Sequence, residues 1–128
     1  MFKRIVVGVA KTDTAQRAAE VAVDLAERYN AQLHLVTAVD RAATADSAER
    51  RGAEAFLASY TNKVPAARVH VLPNAPADAV LMVASEVGAD LIVVGNRGMK
   101  GAGRVLGSVP NTIAHAAPCS VLVVDTVG

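Results

Sequence analysis

The chain has 128 residues, of which 52% are hydrophobic, 20% charged and 3% aromatic, with a formal net charge of +1 at pH 7. This composition predicts one globular domain over residues 1–128, built on an aliphatic core of Val, Leu, Ile and Ala, and excludes a disordered chain. The near-neutral charge gives no case for a general nucleic-acid or membrane-surface binder, and no apolar run approaches the roughly 20 residues that span a bilayer. The single cysteine, Cys119, excludes an intrachain disulfide and fits a reducing, cytoplasmic setting. Lys11 interrupts the first apolar stretch before it could serve as a signal-peptide core.

Strand candidates are Arg4–Val9, Gln32–Ala38, Arg68–Leu72, Leu91–Val94 and Ser120–Val124. The first and fourth are nearly continuous apolar runs, as in parallel strands covered on both faces. Between the first two, Thr14–Tyr29 reads as a helix with Ala18, Ala22, Leu25 and Tyr29 on one face and either Thr12 or Asp13 as its cap. A second helix is predicted over Ser47–Asn62, burying Ala53, Phe56, Leu57 and Tyr60. A third runs from about Ala77 to Val87, with Val80, Val83, Ala84 and Val87 inward and Gly88 ending it. The fourth opens near Pro110 and stops before Pro118.

This β-α-β-α-β-α-β-α-β order predicts an α/β fold, a parallel sheet with helices on both faces. The pattern alone leaves two strand orders open, 2-1-3-4-5 and 3-2-1-4-5. In either, ligands bind beyond the carboxyl ends of the strands, at the switch point.

The densest chemical signal lies between the fourth strand and the fourth helix. Gly95, Gly98, Gly101, Gly103 and Gly107 are five of the nine glycines, all within thirteen residues. A glycine loop running into a helix N-terminus suits a phosphate, because the backbone can approach closely and helix N–H groups point at the anion. Ser108 offers a hydroxyl to a phosphate oxygen or to the helix start. From Leu91 to Val124 there is no Asp or Glu, whereas Arg97, Lys100 and Arg104 contribute +3, so the remainder of this +1 chain carries −2. The P-loop sequence G-x-x-x-x-G-K-[ST] and the dinucleotide fingerprint are both absent.

Catalytic constellations are poor. His34, His70 and His115 lack metal-ligand spacing and read as structural or surface residues, with His34 pointing away from the face of Leu33 and Leu35. Ser108 and His115 stand about 10 Å apart along a helix, too far for a nucleophile–base pair. Cys119 reads as packing. Asp13 and Asp40 fall near the expected crevice. The apolar last strand, Ser120–Val124, is expected to be a sheet edge through which two copies associate.

On these residues the chain resembles a single-domain universal stress protein over essentially its whole length. The resemblance rests on Val6-Val7-Gly8-Val9, on Ala89-Asp90-Leu91-Ile92-Val93-Val94-Gly95, and on Gly107-Ser108-Val109-Pro110-Asn111 followed by Ala117–Val124. It implies a Rossmann-like sheet of the adenine nucleotide alpha hydrolase type, in order 3-2-1-4-5, and a homodimer built on the last strand. It further implies adenine-nucleotide binding, with ATP favoured, AMP or cyclic AMP as alternatives, and Mg2+ carried on the phosphates. The ATP-binding branch has the motif G-x2-G-x9-G-[ST]. By position, Gly95 and Gly98 match its first glycines, Gly107 and Ser108 its closing pair, and Val109 the next phosphate-side amide. Val94 and Val39 would wall the base.

Two departures stand out. The gap between Gly98 and Gly107 is eight residues, and Ala10 occupies the place where ATP-binding relatives usually carry an Asp after the first strand. Asp13 or Asp40 would have to replace that contact. The expected function is a cytoplasmic, dimeric nucleotide-binding regulator in a stress response, with at most slow ATP hydrolysis. A nucleotide-free dimeric interaction module is the alternative. The absence of S-G-G-x-D-S and H-I-G-H segments argues against an adenylyl-transferring enzyme.

Overall fold

The computed structural model describes residues 1–10, 16–40, 48–62, 64–97 and 106–126. These form β1 (Arg4–Gly8), α1 (Gln16–Tyr29), β2 (Gln32–Ala38), α2 (Ala48–Ala58), β3 (Arg68–Leu72), α3 (Pro76–Val87), β4 (Leu91–Asn96), α4 (Ser108–Ala116) and β5 (Ser120–Asp125). The strands pair in parallel in the order β3-β2-β1-β4-β5. The strand order 2-1-3-4-5 is thereby excluded.

Alternation along the strands divides the core into two layers. Ile5, Val7, Leu33, Leu35, Leu91 and Val93 face α1 and α2, where they meet Ala18, Ala22, Ala26, Ala53 and Leu57. Val6, Val36, Ile92 and Val94 face the other way, onto Val80, Val83 and Ala84 of α3 and Ile113 of α4. Central strands buried on both sides need apolar residues at odd and even positions alike, which is why β1 and β4 read as continuous runs.

Helix α1 buries Ala18 and Ala22 as its spacing predicts, but its inward face is rotated away from Leu25 and Tyr29. Ala18, Ala19, Ala22, Val23 and Ala26 are buried, while Leu25 is half-buried and Tyr29 is 40% exposed. Small side chains let the helix sit close on the sheet, and Tyr29 instead packs edge-on against Phe2 at a centroid distance of 5.7 Å. Helix α2 ends at Ala58, and turns rather than helix carry Ser59–Thr61. Helix α3 ends as expected in a left-handed residue, Gly88 at φ 66°, whose N–H donates to the Ala84 carbonyl. Helix α4 begins at Ser108, so Pro110 is its third residue; its missing N–H still falls within the first turn, where no intrahelical bond is lost. The position called Thr12 or Asp13 at the start of α1 lies outside the described residues.

Strand β5 is a sheet edge and exposes Leu122 at 38%. No helix among the described residues is long and apolar enough to cross a membrane.

Candidate functional site

The carboxyl ends of β1, β2 and β4 splay around a cavity of about 370 Å³. Its sheet wall comes from the three central strands: Gly8–Ala10 at the end of β1, Val36–Val39 along β2, and Val94 and Gly95 of β4. Helices close it with Glu49 and Ala53 of α2, Pro76 and Val80 of α3, and Val109 of α4. Backbone bonds continue past the strand ends and hold this wall: the Val9 N–H donates to the Val36 carbonyl at 2.8 Å, and the Val39 N–H to the Leu72 carbonyl at 2.9 Å. The opening lies where the strand order reverses, between β1 and β4.

Close approach explains two glycines. A Cβ on Gly8 would stand 2.9 Å from Cγ2 of Val80, so the absent side chain lets α3 lean over the end of β1. A Cβ on Gly95 would stand 2.5 Å from Cγ2 of Thr126, so glycine here also answers to the packing of the chain after β5.

At the α4 end, Asn96 is the organising residue. Its side chain is buried, and its Oδ1 accepts the Gly107 N–H at 2.9 Å. That bond ties the end of β4 to the helix cap and fixes where the first turn of α4 points. Gly107 caps the helix without a side-chain bond, and Ser108 follows it exposed at the first helical position. The first N–H groups of an α-helix have no intrahelical partner and carry its positive partial charge, so this turn is suited to an anion.

Of the residues predicted from sequence, Ala10, Val39, Val94, Gly95 and Val109 line this one cavity. Gly107 and Ser108 adjoin Val109 at the start of α4, and Arg97 is exposed just past the end of β4. Gly98, Lys100, Arg104 and Asp13 lie outside the described residues. Asp40 is exposed, and its backbone N–H donates to Oε1 of Glu49 at 3.1 Å.

Several lining residues had no individual sequence signal. Gly8 and Thr37 reach it from the ends of β1 and β2, and Ala53, Pro76 and Val80 because the crossovers bring α2 and α3 there. Glu49 had a partial one, since it lies in the first turn of the helix that follows β2 at the ligand-bearing end of the sheet. Asn96 stood inside the glycine frame, but its role depends on where Gly107 lands.

Away from the cavity mouth, His34 and His70 meet. Nδ1 of His34 and Nε2 of His70 are 2.9 Å apart, on neighbouring strands. His34 does face away from Leu33 and Leu35, and it is buried rather than superficial. Its Nε2 has no hydrogen-bond partner among the described residues. Burial, then His70, Arg68 and Arg4, push its pKa down to about 4. Burial likewise lowers His70, with Glu86 opposing and Arg68 assisting. Both imidazoles are therefore neutral at pH 7. His115 is exposed on α4. The half-buried Cys119 thiol is pushed up, first by burial and then by Asp90, which disfavours a thiolate.

A sequence model of the universal stress protein family matches residues 1–125. Universal stress protein A homolog 1 of Coxiella burnetii is 30% identical, over 96% of both chains. A universal stress protein of Thermus aquaticus is 34% identical, over 97% of this chain and 99% of its own. Among solved structures, a universal stress protein in complex with cAMP superposes with a TM-score of 0.77 at 32% identity, covering 98% of each chain.

Proposed function

The chain belongs to the universal stress protein family, and we propose that it binds an adenine nucleotide in the cavity at the carboxyl ends of β1, β2 and β4. One observation carries this reading. Ala10, Val39, Val94, Gly95 and Val109, drawn from four separate segments, converge on a single cavity that abuts a helix N-terminus. The cavity's volume of about 370 Å³ falls within the ordinary range for small-ligand sites, roughly 300–1,000 Å³. Val36, Val39, Val80 and Val94 offer the flat apolar surroundings that an adenine ring needs. The similar protein in complex with cAMP supports the same ligand class.

The base lies between Val39 and Val94. The phosphates lie toward α4, held by backbone N–H groups of Gly95–Gly98 and Gly107–Val109 with the Ser108 hydroxyl, in the positive field of Arg97, Lys100 and Arg104. ATP is the expected ligand, with AMP and cyclic AMP as competitors for the same cavity. The Mg2+ that accompanies ATP stays on its phosphates; the described residues contain no group of three or more His, Cys, Asp or Glu able to hold a metal. Hydrolysis is slow at most, because the sequence names no general base or water-positioning residue for it.

The protein acts as a cytoplasmic stress-response regulator rather than as a turnover enzyme. Two copies associate through β5, which is the outermost strand of the sheet among the described residues and exposes Leu122. The test is to heat-denature untagged protein, identify released nucleotide by mass spectrometry, and titrate ATP, AMP and cyclic AMP by calorimetry. Co-purifying nucleotide or micromolar binding is expected. An empty protein that gives no heat with any of the three would end the nucleotide reading.

A further inference from the structure

We infer that Glu49 reads the ribose of the bound nucleotide and sets its orientation in the cavity; this rests on the adenine-nucleotide reading. Among the described lining residues, only Thr37 and Glu49 have polar side chains, and only Glu49 is ionisable. Ala10, on the same wall, offers only a methyl group.

The position of Glu49 decides which part of a nucleotide it can meet. Helix α2 packs on β2 and β3, whereas α4 packs on β4 and β5, so Glu49 and the α4 N-terminus stand at opposite ends of the cavity. Strands lie about 4.8 Å apart, so β2 and β4, with β1 between them, are separated by roughly 10 Å. That is enough to keep a carboxylate away from phosphates seated at α4. A phosphate placed at the Glu49 end would face like charge. A neutral sugar diol placed there would donate to it.

Glu49 also has the capacity and the support for this role. Its Oε1 accepts the Asp40 N–H at 3.1 Å, which restrains the side chain at the cavity mouth. A carboxylate has two oxygens and about four acceptor sites, so one backbone bond leaves room for sugar hydroxyls. Hydrogen bonds from hydroxyls to an ionised acceptor are roughly twice as strong as neutral ones. A site built to accept such bonds discriminates against an analogue that lacks the hydroxyls.

The test is calorimetric titration of the full chain with AMP and with 2′,3′-dideoxy-AMP, for the unaltered protein, Glu49→Ala and Glu49→Gln. The unaltered protein should prefer AMP by about tenfold or more, the scale of a charge-assisted bond. Glu49→Ala should bring the two affinities within about twofold of each other, by losing AMP affinity and not by gaining the analogue. Glu49→Gln keeps a carbonyl oxygen for the Asp40 N–H, so it preserves the local fold, and it should lose most of the preference. If AMP binds and the ratio is unchanged in Glu49→Gln, or if the unaltered protein shows no preference, the role of Glu49 is overturned while the nucleotide site stands. If neither compound binds the unaltered protein, both readings fall.

Discussion

The two ends of the cavity are built from different parts of the chain. At the β4–α4 end the chemistry is mostly backbone: Gly95, the Gly107 cap and the first N–H groups of α4, held by one buried amide, Asn96. At the β2–α2 end it is side chain: Val36, Val39, Ala53 and Glu49. The difference follows from what each end meets in the proposed complex. Phosphate oxygens are satisfied by N–H groups that any sequence possesses, provided the residues are small enough for close approach. A base and a sugar are recognised by volume and by particular acceptors, which only side chains supply.

Gly8→Val should disturb both ends at once and give the largest effect. Its Cβ would stand 2.9 Å from Cγ2 of Val80 and its methyl groups would enter the cavity. Overpacking of this kind costs about 1–3 kcal/mol of stability. Nucleotide affinity should fall by about a hundredfold or more, the equivalent of ~3 kcal/mol. Calorimetry together with a thermal melt would separate the two losses, and unaltered affinity would mean that the ligand lies elsewhere.

Acid should weaken the β2–β3 side first. His34 titrates near pH 4 in the folded protein against an ordinary value of 6.5, so the unfolded chain takes up the proton earlier as pH falls. The stability this neutral imidazole provides is full above about pH 6.5, declines between 6.5 and 4, and is flat below. The loss is on the order of 3 kcal/mol. Hydrogen exchange at pH 7 and pH 4.5 should show protection falling in β2 and β3 before β4 and β5, and His34→Leu should remove most of the pH dependence. A uniform loss of protection across the sheet would contradict this.

Asn96→Ala should act on the α4 end alone. It removes the acceptor of the Gly107 N–H, a change worth about 1–3 kcal/mol. ATP affinity should drop by about tenfold or more while adenosine affinity changes little. Equal losses for the two ligands would show that Asn96 does not organise a phosphate-binding turn.

Val39→Ala is the mildest and the mirror image. It removes apolar contact from the wall at the β2 end, about 1 kcal/mol or roughly fivefold. ATP and adenosine should weaken together. A change confined to ATP would mean that the base does not lie against Val39.

Hydrophobic pattern and glycine placement in the sequence determine the five parallel strands, the four intervening helices and the glycine frame from Gly95 to Gly107. These are local properties, since a run buried on both faces must be apolar throughout and a helix must carry its stripe at a fixed period. The inward face of α1 was legible only in part: Ala18 and Ala22 are buried as their spacing predicts, whereas Ala19, Val23 and Ala26 take the places expected of Leu25 and Tyr29, because closeness to the sheet and not hydrophobicity alone decides them. Nor could local pattern choose between strand orders. The order β3-β2-β1-β4-β5 depends on which edges pair after the crossovers, and the resemblance to a family, not periodicity, anticipated it.

Only the tertiary structure brought His34 to within 2.9 Å of His70, set Asn96 against Gly107, and placed Glu49 opposite α4. Each pairing joins residues on different elements, 36 and 11 positions apart for the first two. Chain spacing carries no information about such contacts, because they are fixed by the packing of whole helices and strands against one another.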